Sequence, residues 1–191
     1  MIHRSLFSAA SSNPQVVLET PIRCNAQAHR ILMSPAQLPD ERLPKGLHFE
    51  DFTLGLTFKT YGRTLTDADL VQFAGISGDF NPVHMDQETA QSTPFRGRVA
   101  HGMLVQSVAT GLAVQMGIFH GTLVAIAGMD IAWKSPARVG DTLRVTMEVV
   151  EVDPSPKPKR GKIRFGVLVQ KEDDTVLAES RWYTVVSRRP N

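Results

Sequence analysis

Asp79 and His84 are the residues whose types and spacing point to chemistry. They lie five positions apart in the stretch SGDFNPVHMD (77–86), with Pro82 between them. A carboxylate and an imidazole that meet can hold one water and take its proton, provided the chain between them folds back. Proline fixes one backbone dihedral and disfavours helix at the residue before it, Asn81, so the segment bends and the two side chains can converge. The plainer reading is a surface turn closed by an Asx cap, and spacing alone leaves both readings open. Asn81 either hydrogen-bonds its own loop or reaches a bound molecule.

The elements that must position this loop follow from pattern. TFKTYGRTLT (57–66) alternates and is rich in Thr and aromatics, which predicts a strand. DADLVQFAGIS (67–77) predicts a short helix with Thr66 as N-cap, an apolar side of Leu70, Val71, Phe73 and Ala74, and an end near Gly75 or Gly78. DQETAQ (86–91) predicts another, opened by Asp86 and Glu88, whose charges suit a helix start. In GMLVQSVATGLAVQMG (102–117) only Gln106, Ser107, Thr110 and Gln115 are polar, so the expected helix is surrounded on nearly all sides. Gly111 inside it costs about 1 kcal/mol against alanine and points to close packing.

The period then changes to two. Residues 122–133, 141–152, 162–172 and 175–187 predict strands, joined by a Pro-rich loop at 153–161 and a tight acidic turn at 172–175. One buried helix with about five mostly antiparallel strands implies an α+β domain, a curved sheet wrapped around a long central helix. Such a sheet leaves strand edges open, which predicts a homodimer or a larger even-numbered assembly.

Composition narrows the function classes. A formal net charge of +2 is too weak to argue for nucleic acid or a membrane surface, and no stretch approaches the apolar length of a membrane span. Cys24 is the single cysteine, so there is no intramolecular disulfide and no metal-binding spacing, which is compatible with the reducing cytoplasm. Residues 1–45 carry scattered prolines and polar residues without a period and are expected to be a poorly ordered extension before a domain spanning 46–191. Three arginines against one acid in the first 30 residues leave a transit peptide, and hence the mitochondrial matrix, as the alternative location. Met33 is a later candidate initiator.

Gly78-Asp79-Phe80-Asn81-Pro82-Val83-His84, followed by Ala100-His101-Gly102-Met103, resembles the paired motifs of the MaoC-like dehydratases, the (R)-specific enoyl-CoA hydratases of the hot-dog fold. The resemblance covers about residues 46–187. It implies reversible hydration of a trans-2-enoyl-CoA to a (3R)-hydroxyacyl-CoA, with water gripped by Asp79 and His84, and edge-to-edge pairing of sheets between two copies. Gly102 then supplies the third element. A backbone N–H at the start of a buried helix is unsatisfied and sits at the positive end of the helix dipole, so it can stabilise the thioester oxyanion. The plainer role is a glycine that eases the turn into the helix.

Asn81, Arg96 and Arg98 are the candidate substrate-binding residues, the arginines as partners for coenzyme A phosphates. Lys157, Lys159, Arg160 and Lys162 offer further cations on a loop that is otherwise just solvated. His101 caps the helix or packs beside the loop. No spacing of the six histidines makes a metal site and no nucleotide fingerprint is present, so the expected cofactor is none beyond the coenzyme A of the substrate itself. Two other readings remain at this point: a hot-dog acyl-CoA thioesterase, and a non-catalytic acyl-thioester-binding subunit.

Overall fold

Alternation of buried and more exposed side chains along three long strands in the second half of the chain builds the sheet on which everything else rests. The computed structural model describes residues 46–153 and 157–190. The tail at 1–45, with its arginines, Cys24 and Met33, lies outside the described residues. Strands β1 (Thr57–Lys59), β2 (Arg63–Thr64), β3 (Leu123–Trp133), β4 (Thr142–Asp153), β5 (Arg160–Gln170) and β6 (Val176–Ser187) are interrupted between β2 and β3 by four helices. These are α1 (Asp67–Ser77), α2 (Pro82–Met85), α3 (Gln87–Ser92) and α4 (Gly102–Gln115).

The strand order is β1-β4-β5-β6-β3, antiparallel throughout, with β2 pairing β4 in its own short ladder. One face is apolar: Val145, Met147 and Val149 on β4, Phe165, Val167 and Val169 on β5, and Trp182 and Val186 on β6 are all buried. Helix α4 presses Leu104, Val105, Val108, Ala109, Leu112 and Ala113 into the same core. This is the hot-dog arrangement the sequence implies, an α+β fold whose curved sheet wraps a central helix.

Four local expectations change. The strand read across 57–66 is broken after Lys59, and both pieces pair β4. At the break Gly62 passes so close to Thr142 that a Cβ would stand 2.7 Å from its methyl. On α1, Leu70 and Ala74 are buried but Val71 is exposed. On α4, Met103, Ser107, Gly111 and Val114, spaced by four, four and three, form a stripe left open in the single chain. Among the described residues nothing lies within 4 Å of where a Gly111 Cβ would be, so the close packing expected of that glycine is not found there. Strand β3 pairs only β6 among the described residues, and its other edge is open.

Candidate active site

The loop after α1 is assembled from short-range hydrogen bonds. Thr66 caps α1 and shares a capping box with Asp69, and Gly78 ends the helix in a left-handed conformation at φ 77°. Burial disfavours the Asp69 carboxylate, yet hydrogen bonds from Thr66 and the Arg63 guanidinium outweigh it and hold the carboxyl below its ordinary value. Ser77 Oγ accepts the Asp79 amide at 3.2 Å, and Asp79 Oδ1 accepts the Asn81 amide at 3.2 Å. Asn81 Oδ1 accepts the Val83 amide at 3.2 Å, with Pro82 at the first helical position. His84 therefore rides on the one-turn helix α2, where the sequence suggested only a bend. The Asx turn is real, and so is the convergence it produces.

Asp79 Oδ2 stands 4.0 Å from His84 Nε2. That is too long for a direct hydrogen bond but fits a water bonded to both groups at about 2.8 Å each. The Asp79 carboxylate is half exposed, while the His84 side chain is 14% exposed. His84 Nδ1 lies 2.8 Å from the Val99 carbonyl oxygen. A carbonyl only accepts, so Nδ1 carries the hydrogen in the neutral ring and Nε2 keeps its lone pair toward Asp79.

His84 and Gly102 line one cleft of about 360 Å³, together with Val83, Phe95, Trp133 and Leu177. Gly102 opens α4, and no partner accepts its amide among the described residues. A Cβ there would meet the Trp133 indole at 2.9–3.3 Å, so only glycine lets the ring lie against this helix end. A larger depression of about 500 Å³ runs along Thr146, Glu148, Gly166 and Arg181 on the sheet face away from the core, and it holds none of these groups. Chemistry selects the smaller cleft.

The remaining candidates fall differently. Asn81 serves the loop through Oδ1 and does not line the cleft. Arg98 is paired with Asp67 at 2.6 Å, and neither it nor Arg96 lines the cleft. None of the described basic residues of the 157–162 loop lines it either. Lys134 does, and it is paired with Glu179 at 2.9 Å. Arg138, which no motif marks, donates to the carbonyls of Phe95 and Arg98 and so holds the cleft's rim. His101 does not cap α4 with its side chain and instead packs beside the loop. Asp79, His84 and His101 each offer one ligand atom within 4.8 Å of the others, a grouping invisible in sequence spacing. One nitrogen of each imidazole is already committed to a backbone carbonyl. Among the described residues, no helix is long and apolar enough to cross a membrane.

Comparison with known proteins points to one family. The model of the MaoC like domain matches residues 51–171. A 3-hydroxybutyryl-CoA dehydratase of Methylorubrum extorquens is 32% identical over 140 residues, 73% of this chain and 83% of that protein. An (R)-specific enoyl-CoA hydratase of Rhodospirillum rubrum is 34% identical over 110 residues, 58% of this chain and 74% of that protein. The solved structure of a MaoC-like dehydratase from Rhodospirillum rubrum is similar with a TM-score of 0.71 at 30% identity, covering 76% of this chain and all of that one.

Proposed function

The chain belongs to the MaoC-like dehydratase family, and from that premise we propose that it is a hydro-lyase that reversibly hydrates trans-2-enoyl-CoA to (3R)-hydroxyacyl-CoA. The observation that carries the reading is the 4.0 Å gap between Asp79 Oδ2 and His84 Nε2, of which His84 lines the same cleft as Gly102 while Asp79 does not. In the forward direction a water held in that gap adds through its oxygen to the β-carbon of the enoyl group. The π electrons move toward the α-carbon and the thioester carbonyl, whose growing negative charge faces the Gly102 N–H. The His84–Asp79 pair takes one proton from the water and returns a proton to the α-carbon, so water is added whole and neither group is consumed. The reading requires no metal and no redox cofactor.

The reading includes a homodimer or larger even assembly in the cytoplasm. The open edge of β3 and the exposed Met103 and Val114 of α4 are surfaces that a second copy would cover. It keeps residues 1–45 as an extension outside the catalytic domain 46–191. The test is purified protein with crotonyl-CoA. Loss of enoyl absorbance with formation of the (3R)-hydroxy product supports the hydratase, whereas release of free thiol without hydration would indicate a thioesterase and overturn it.

A further inference from the structure

His101 touches both members of the acid–imidazole pair, yet the reaction as written gives it nothing to do. It is 2% exposed. Its Nε2 lies 2.9 Å from the Asp79 carbonyl oxygen, and since a carbonyl only accepts, Nε2–H is the donor. Its ring centroid is 3.8 Å from that of His84 with 32° between the planes, and 5.1 Å from Phe73. Its Nδ1 is buried without a hydrogen-bond partner among the described residues. A buried unpaired nitrogen is unfavourable, and a phenylalanine would fill the same site without one. Packing alone therefore does not account for a histidine. What the histidine adds is the donor to Asp79.

We propose that His101 is a positioning residue that sets the gap between Asp79 and His84. The other hydrogen bonds to Asp79, from Asn81 and to Ser77, arise within two residues of it and are exposed. Among the described residues the bond from His101 is the one that ties Asp79 to the buried helix α4. The face of the same ring backs His84, whose other anchor is the Val99 carbonyl. Because His101 directly precedes Gly102, one stretch of backbone registers both the water-holding pair and the oxyanion amide against the same helix end. The effect on turnover rests on the hydratase reading, while the effect on loop order does not.

The experiment compares the full-length wild type with His101→Phe, which keeps a ring and drops the donor, and His101→Gln, which keeps a donor and drops the ring. Hydrogen exchange is followed for peptides covering residues 77–86 and for β4–β6, alongside kcat and KM for crotonyl-CoA. In His101→Phe the loop amides are expected to exchange about tenfold faster with β4–β6 unchanged. Its kcat should fall about 100-fold, the scale of a displacement near 1 Å, with KM within about threefold. His101→Gln should recover much of both losses. Wild-type loop protection and kcat in His101→Phe would overturn the proposal, as would a Gln variant no better than Phe. Loss of β4–β6 protection in both variants would assign His101 to the core and also overturn it. A wild type that hydrates no enoyl thioester would sink the hydratase reading, and loop protection in the variants would still decide the role of His101.

Discussion

The loop at 77–86 and the β4–β5–β6 sheet are held together by opposite means. The loop buries none of Asp79, Phe80, Asn81 or His84 fully and is fixed by hydrogen bonds of 2.8–3.2 Å to backbone atoms, most of them local. The sheet buries layer upon layer of apolar side chains, with Phe165 packed edge-on against Phe52 and Phe119 at 5.7 and 5.6 Å. Volume holds the sheet, and direction holds the loop. On the proposed hydratase reading the loop serves the reaction and the sheet serves the fold, so changes in the two regions should give opposite signatures.

The largest expected effect is on turnover, from the loop. His84→Ala and Asp79→Asn should each lower hydration by about two to four orders of magnitude, the range for a positioned acid–base group, with melting temperature nearly unchanged. Steady-state kinetics and melting curves on the same preparations check this, and a large stability loss with preserved turnover would erase the contrast between the regions. Next in size is the mirror image in the sheet. Phe165→Ala should cost about 4 kcal/mol of stability by leaving a cavity, read by denaturant unfolding, while kcat per folded molecule stays close to wild type.

Gly102→Ala sharpens the boundary between the regions, because it sits where the cleft meets the core. The added methyl must displace the Trp133 indole or tilt the helix end, and we expect kcat to fall about tenfold with little loss of stability. The smallest effect is at the cap that launches the loop. Thr66→Ala should cost about 1 kcal/mol, about 3 °C in melting temperature. The Asp69 carboxyl is lowered in the folded chain, so its contribution is complete above the ordinary carboxylate range and is lost as pH falls through the lowered value. An acid titration of stability should therefore show a smaller loss in Asp69→Asn than in wild type.

The same contrast explains what the sequence made legible. The sequence marks β3 to β6 to within two residues, and on β4, β5 and β6 the reason is one buried face that imposes a period of two. The break between β1 and β2 was not legible, since it depends on Gly62 meeting Thr142 eighty residues away. Hydropathy marked α4 but not the open stripe at Met103 and Val114, because apolarity does not say which faces the chain itself covers. In the candidate site, Asp79, His84 and Gly102 sit in compact motifs, so pattern alone can mark them for test. Phe95, Trp133 and Lys134 reach the cleft from distant elements and carry no local signal. Arg98 was marked as a phosphate partner by its position, and its pairing with Asp67, thirty-one residues earlier in the chain, carries no local signal.

The central claim is that Asp79 and His84 act on one shared water. Its most direct test is the hydration rate of the double variant Asp79→Asn/His84→Ala measured beside both single variants. If the two groups work as a unit, the double variant should be barely slower than the slower single one, since effects within one catalytic unit do not add. Losses that multiply to the product of the two single effects would mean the groups act independently, and would contradict the shared water.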